Sequence, residues 1–123
     1  MYAEETDQRF YIAPSTIDGA GSGLFAKLAL RVGDRLEVIG VLVRRESVAD
    51  RCTHFADTHK FRVGDHLLIP LGYGGMVNHS GTPNLEKAFE GDRIFLQASR
   101  DIAADEELFF TYTEYAQERF GLH

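Results

Sequence analysis

The sequence predicts a mostly-β single domain built from several small sheets, on three observations. Short runs rich in Val, Ile, Leu and Phe alternate with turns carrying Gly and Asp, which is the punctuation of strands. Long stretches of apolar residues at helical spacing are scarce. The chain has 123 residues, 44% hydrophobic and 26% charged, without a low-complexity tract, which suits one domain with its own core.

Residues 9–13 and 24–26 read as short strands flanking a glycine loop at 19–23. Residues 35–44, rich in Val, Ile and Leu, predict one central strand, and 46–51 a helical turn. Residues 60–63 and 66–69 flank Gly64-Asp65, a two-residue hairpin signal in the reverse of the usual Asp-Gly order. Leu71-Gly72-Tyr73-Gly74-Gly75 is a loop or tight turn, because glycine at this density weakens regular structure. Residues 85–90 and 93–98 around Gly91-Asp92 form a second hairpin, 108–112 a last strand, and 114–120 a helix stopped by Gly121. Ala26, Leu30 and Leu36 recur at the spacing of Ala98, Ile102 and Leu108, each set with an acidic turn before its final Leu. Two related strand–turn–strand units account for this echo, and so does chance.

The net charge of −6 argues against a nucleic-acid binder, which needs clustered Lys and Arg to neutralise phosphates. It favours encounter with a cationic partner such as a lysine-rich peptide, or it only keeps the protein soluble. The single cysteine, Cys52, forms no internal disulfide, and with His54 and His59 it lacks a four-ligand metal spacing. These three residues read as a small filler and surface imidazoles, so no metal is expected. The acidic start, Met1-Tyr2-Ala3-Glu4-Glu5, carries no apolar signal segment. No run approaches the ~18 apolar residues of a membrane span. A soluble intracellular protein, cytoplasmic or nuclear, is expected.

Dinucleotide and phosphate-loop readings fail. Gly19, Gly21 and Gly23 open no helix and no βαβ unit follows. No Ser–His–Asp or Cys–His pair is visible either. Three polar or mixed segments remain: Gly21-Ser22-Gly23-Leu24-Phe25-Ala26; Asn78-His79-Ser80 with Pro83-Asn84; and Asp105-Glu106-Glu107-Leu108-Phe109-Phe110-Thr111-Tyr112.

In order and separation these segments resemble the signature stretches of SET-domain lysine methyltransferases, G-x-G-[LV]-F-A, N-H-S-x-x-P-N and E-E-L-x-x-x-Y. The resemblance spans roughly residues 9–115. Leu71-Gly72-Tyr73-Gly74 before Asn78 is similar to short stand-alone SET proteins of bacterial or viral type. It implies a β-clip-like fold of small sheets, in which the strand 108–112 threads beneath the loop 78–84 in a knot-like crossing. It also implies S-adenosylmethionine as cofactor and a lysine-bearing basic protein, possibly histone-like, as substrate.

By that resemblance Tyr112 is the catalytic residue, its hydroxyl beside the transferred methyl; read alone, it is an ordinary strand aromatic. Asn78 and His79 become cofactor contacts; alone, they are a turn-former and a core histidine. Gly21, Ser22, Gly23 and Leu24 become the cofactor loop, joined by Met76 and Tyr115, although a plain turn needs the same glycines. Phe110, with Tyr112, belongs to the substrate channel, where phenylalanine leaves room for di- or trimethylation; simple core packing is its other reading.

The sequence departs from the family where Thr113 replaces the glycine that commonly follows the tyrosine, and where Met76-Val77 replaces an Arg-aromatic-apolar approach. Without flanking zinc-binding cysteines, Tyr115 or Phe120, or a homodimer partner, closes the channel. Two other classes stay open: a catalytically silent SET-fold peptide-binding module, and a structural β domain.

Overall fold

The structure, a computed structural model, describes residues 3–57 and 59–112. Ten strands form four small sheets. β1 (Phe10–Pro14) pairs antiparallel with β2 (Ser22–Ala26). β3 (Arg35–Glu37) lies beside β9 (Arg93–Ala98), which also pairs with β8 (Leu85–Glu90). β4 (Gly40–Arg44), β6 (His66–Pro70) and β5 (Phe61–Val63) form a second three-stranded sheet in that order. The last sheet is a two-residue parallel pair of β7 (Asn78–His79) and β10 (Phe109–Phe110). One short helix, α1 (Val48–Cys52), is capped at its start by the Ser47 hydroxyl, which accepts from the Asp50 N–H. The expected helix at 114–120, with Thr113, Tyr115 and Phe120, lies outside the described residues.

Both hairpins form with two-residue turns, Val63 opposite His66 and Glu90 opposite Arg93. Gly64 and Gly91 adopt φ of 60° and 59° while the aspartate after each does not. That is the turn with glycine at its first central position, which explains the reversed Gly-Asp order. The loop expected at 71–75 leads into a short 3-10 turn, Tyr73–Met76.

The single strand expected over 35–44 is corrected to two strands in different sheets. Val38 still bonds the β9 side, its N–H donating to Ile94 O at 2.8 Å, whereas Leu71 N–H donates to Ile39 O at 3.0 Å. The chain therefore passes from one sheet to the next at Val38–Ile39. Gly40 permits the passage, because a Cβ there would lie 1.9 Å from Ile69 O. Apolar residues run from Val38 through Val43, broken only by Gly40, and Leu36, Val38, Phe61 and Leu68 from the two sheets share one core.

The echo in the sequence is a structural repeat. Leu30 and Ile102 exchange N–H···O bonds at 2.8 and 2.9 Å. Around that bridge the bonds are reciprocal: Ala26 N–H donates to Glu106 O as Ala98 N–H donates to Asp34 O, and Asp105 N–H to Ala26 O as Gly33 N–H to Ala98 O. Gly33 and Asp105 share a positive φ, 93° and 66°. Asp34 and Glu106 cap the same turn position, accepting from the N–H of Arg31 and Ala103. Two strand–turn–strand units thus face each other about an approximate two-fold axis, and their matched Leu and Ala side chains join one core with Phe10, Phe61 and Phe110.

Ile102, 1% exposed at the centre of this arrangement, tests the repeat. Ile102→Ala should lower unfolding free energy by about 2–5 kcal/mol in urea titrations, whereas a loss well under 1 kcal/mol would mean that the bridge is peripheral.

Candidate active site

Asn84 builds the site from below. Its side chain is buried, 2% exposed, and its amide spans two segments: Nδ2 donates to Glu107 O at 2.9 Å while Oδ1 accepts from Phe109 N–H at 2.8 Å. This pair of hydrogen bonds fixes β10 in parallel register, Phe109 opposite Asn78 and Phe110 opposite His79. Ser80 N–H donates to Phe110 O, and the Thr111 hydroxyl to Ser80 O at 2.9 Å. The C-terminal strand therefore runs along the 78–84 loop, where the resemblance places it.

Glu107 holds the other side. It is 4% exposed and accepts from the Thr16 N–H at 2.7 Å, the Thr16 hydroxyl at 2.6 Å and the Ser15 hydroxyl at 2.8 Å. Asn78 Nδ2 donates to Glu107 Oε2 at 3.3 Å and to Ser22 O at 3.0 Å. Gly23 is required by this closeness, since a Cβ on it would meet Glu107 Oε2 at 2.4 Å. Burial works to raise the Glu107 carboxyl, but the bonds from Thr16, Ser15 and Asn78 outweigh it and hold it below its ordinary value. Gly21, at φ 73° with open space where a Cβ would stand, turns the exposed loop beside Ser22.

Tyr112 joins this polar side to an aromatic one. Its N–H donates to His79 Nδ1 at 3.0 Å, and its hydroxyl to Val77 O at 3.1 Å. Burial pushes its phenol above the ordinary value. Its ring meets His79 edge-on at 5.2 Å and Phe110 at 5.0 Å, and Phe110 stacks on Phe61 at 5.5 Å. Phe61, Phe110 and Tyr112 wall a cavity of about 460 Å3 that reaches Lys87, Lys60, Asp50 and Asp57. Lys60 Nζ, with its side chain 3% exposed, contacts Asp50 and Asp57 at 2.7 Å each.

The expected residues therefore sort by face. Gly21, Ser22, Gly23 and Asn78 gather at the glycine loop, while Phe110 and Tyr112 line the cavity. His79 ties the two together. Leu24 is fully buried in the core with its carbonyl taken by Leu108 N–H, and Met76 packs against that core from the turn before Val77. Tyr115 lies outside the described residues, among which no cluster of potential metal ligands occurs. The net negative charge is not delivered to the cavity: Arg45, Arg51, Lys60, Arg62 and Lys87 outnumber Glu46, Asp50 and Asp57 on its lining.

Sequence reasoning gave Glu107 no role of its own and passed over Phe61 and Lys87. Glu107 stood within a quoted motif, whereas nothing marked Phe61 among nine phenylalanines.

The sequence profile of the SET domain matches residues 21–113, from the glycine loop past Tyr112. The chain belongs to the SET-domain family. It is 36% identical over 108 residues to the histone-lysine N-methyltransferase ATX2 of Arabidopsis thaliana. The same identity and length relate it to the histone H3-lysine(4) N-trimethyltransferase ATX1 of that plant. In both cases the match takes in 75% of this chain, which spans only 10% of the relative's length. Among solved structures, an active polycomb repressive complex 2 in its basal state superposes with a TM-score of 0.74 at 26% identity, over 85% of this chain and 15% of that one. A ctPRC2 structure bound to S-adenosylmethionine gives 0.75 at 21% identity, over 94% of this chain and 17% of that one, a likeness of fold.

The buried carboxylate of this SET domain gives a pH signature. A carboxyl held below its unfolded value adds stability that is complete above that unfolded value, about 4.3, and is lost as pH falls through the folded value. Glu107→Gln also turns one acceptor into a donor facing Ser15 and Asn78, at a cost of about 1–3 kcal/mol near pH 7. In urea titrations the gap between wild type and Glu107→Gln should therefore close as pH drops below about 4.3. A gap that stays constant with pH would show that the carboxylate's charge is not what the site uses.

Proposed function

We propose that this SET domain is a protein-lysine methyltransferase that takes its methyl group from S-adenosylmethionine and transfers it to the ε-amine of a lysine in a basic, possibly histone-like, protein. The observation that carries the proposal is the placement of Tyr112, tied by its backbone to His79 and by its hydroxyl to Val77, with its ring on an aromatic-walled cavity. The relatives ATX2 and ATX1 are histone-lysine methyltransferases by name, which supports the reaction class. The approach Leu71-Gly72-Tyr73-Gly74 supports kinship with short stand-alone SET proteins.

The residues present suit the cofactor. Asn78, whose Nδ2 donates to Ser22 O and Glu107, keeps its Oδ1 as an acceptor beside an open glycine loop. An acceptor there suits the ammonium at the amino-acid end of the ligand, and Gly21, Ser22, Gly23, Leu24, Met76, Asn78, His79 and Tyr115 are the residues assigned to it. S-adenosylmethionine supplies an activated methyl on a sulfonium, so the protein has little acid–base work to do. Tyr112 keeps its proton at neutral pH, because burial raises its phenol. It therefore meets the amine as a neutral hydroxyl, its O–H directed at Val77 O. Phe61, Phe110 and Tyr112 exclude water, and the lost hydration costs an ammonium more than the ring faces return, which helps deliver the amine neutral.

Calorimetric titration with S-adenosylmethionine and transfer of labelled methyl to basic proteins test the reading together. Tyr112→Phe should leave cofactor affinity within a few-fold and reduce transfer by about 10²-fold, the scale of losing one positioned donor. Cofactor binding without transfer in the wild type would favour a silent peptide-binding module instead. Phe110 cannot hydrogen-bond a water in the channel, so the wild type should reach at least dimethyl-lysine. Phe110→Tyr should shift the product towards monomethyl, since a held water is worth about 1 kcal/mol. Mass spectrometry of a saturated reaction reads this directly, and wild type halting at one methyl would assign the limit to another residue.

A further inference from the structure

Lys87 stands in the middle of β8, opposite Leu96 on β9. Its Nζ lies 5.5 Å from the Phe110 ring centroid and 5.9 Å from that of Phe61. Both distances fall within the reach of a cation–π contact, about 6 Å. The same two rings wall the cavity beside Tyr112. Burial lowers the Lys87 pKa, and among the described residues no carboxylate acts to offset it. Asp50 and Asp57, which share the cavity, are engaged with Lys60, while Arg45, Arg51 and Arg62 add positive charge against Glu46. The ring faces are thus the main favourable surroundings for this ammonium. A cation already fills this aromatic corner.

The geometry points to Lys87 as a specificity-determining residue: its ammonium holds the aromatic corner, and the ε-amine of a substrate lysine enters by displacing it. The identity of the incoming group rests on the methyltransferase reading above. Two like charges in one desolvated corner disfavour each other. An arriving lysine relieves that repulsion by releasing its proton to bulk water as it enters, and the neutral amine left behind is the form that accepts a methyl group. An arginine cannot, because its guanidinium stays charged. Lys87 therefore excludes permanent cations and passes the side chain that can become neutral.

The test titrates two synthetic peptides, identical except for a central Lys or Arg, into wild type, Lys87→Met and Lys87→Arg. S-adenosylhomocysteine replaces the methyl donor, so binding is read without turnover. Wild type should prefer the lysine peptide. Lys87→Met should bind both more tightly, the lysine peptide by about three-fold and the arginine peptide by about ten-fold, as removal of one competing cation implies. Lys87→Arg should keep the wild-type preference. Affinities unchanged or weakened in Lys87→Met would overturn the inference. A second readout needs no peptide affinity: in the free protein the Lys87 ε-protons should be shifted upfield by the rings. Ordinary ε-proton shifts would overturn the inference even in an active enzyme, whereas ring-shifted protons in a protein that transfers no methyl would remove the methyltransferase reading alone.

Discussion

The Asn84 side-chain amide is the contact on which the site depends. One planar group, buried between two chain segments, donates to Glu107 O and accepts from Phe109 N–H. A buried amide satisfied on both sides stabilises modestly, but one stripped of its partners costs the full desolvation of those groups. The arrangement is therefore selective: β10 either lies in this register or leaves buried polar atoms unpaired. From that register follow Phe110 opposite His79 and the Tyr112 N–H on His79 Nδ1. A two-residue parallel pair alone would be too short to hold such an alignment.

Around that clasp the two faces are made of different chemistry. The glycine-loop face is a network of neutral donors converging on one carboxylate, with Gly23 small enough to let Glu107 and Asn78 approach. The cavity face is a run of rings from Phe61 through Phe110 to Tyr112. Tyr112 belongs to both, by its backbone to one and by its ring to the other. The proposed transfer between a polar cofactor and an amine suits such a junction, hydrogen-bonding on one side and apolar on the other. The paired strand–turn–strand units behind it supply rigidity, because their reciprocal bonds leave the Leu30–Ile102 bridge buried at the centre.

Much of this was legible in the sequence where a local rule decides the outcome. The two Gly-Asp hairpins were readable because a two-residue turn depends on a glycine at positive φ. The repeat was readable because its matched residues occupy matched core positions. The break at Val38–Ile39 was not, since an apolar run looks the same whether it serves one sheet or two, and only the approach of Gly40 to Ile69 O separates them. Within the site, Asn78, His79 and Tyr112 stood out through motif order, whereas Phe61 and Lys87 gain meaning only from the rings they meet across sheets. Glu107 looked like half of an acidic turn, yet its neighbour Glu106 caps that turn and Glu107 points into the site.

Hydrogen exchange at two amides tests the clasp most directly. Phe109 N–H is bound to Asn84 Oδ1 and Tyr112 N–H to His79 Nδ1. If the Asn84 amide aligns the site, both exchange slowly in the wild type. In Asn84→Ala both should then accelerate together while the amides of Arg93–Ala98 stay protected. Tyr112 N–H remaining equally protected in Asn84→Ala would contradict the account, because the tyrosine would then be held in place by something other than the clasp.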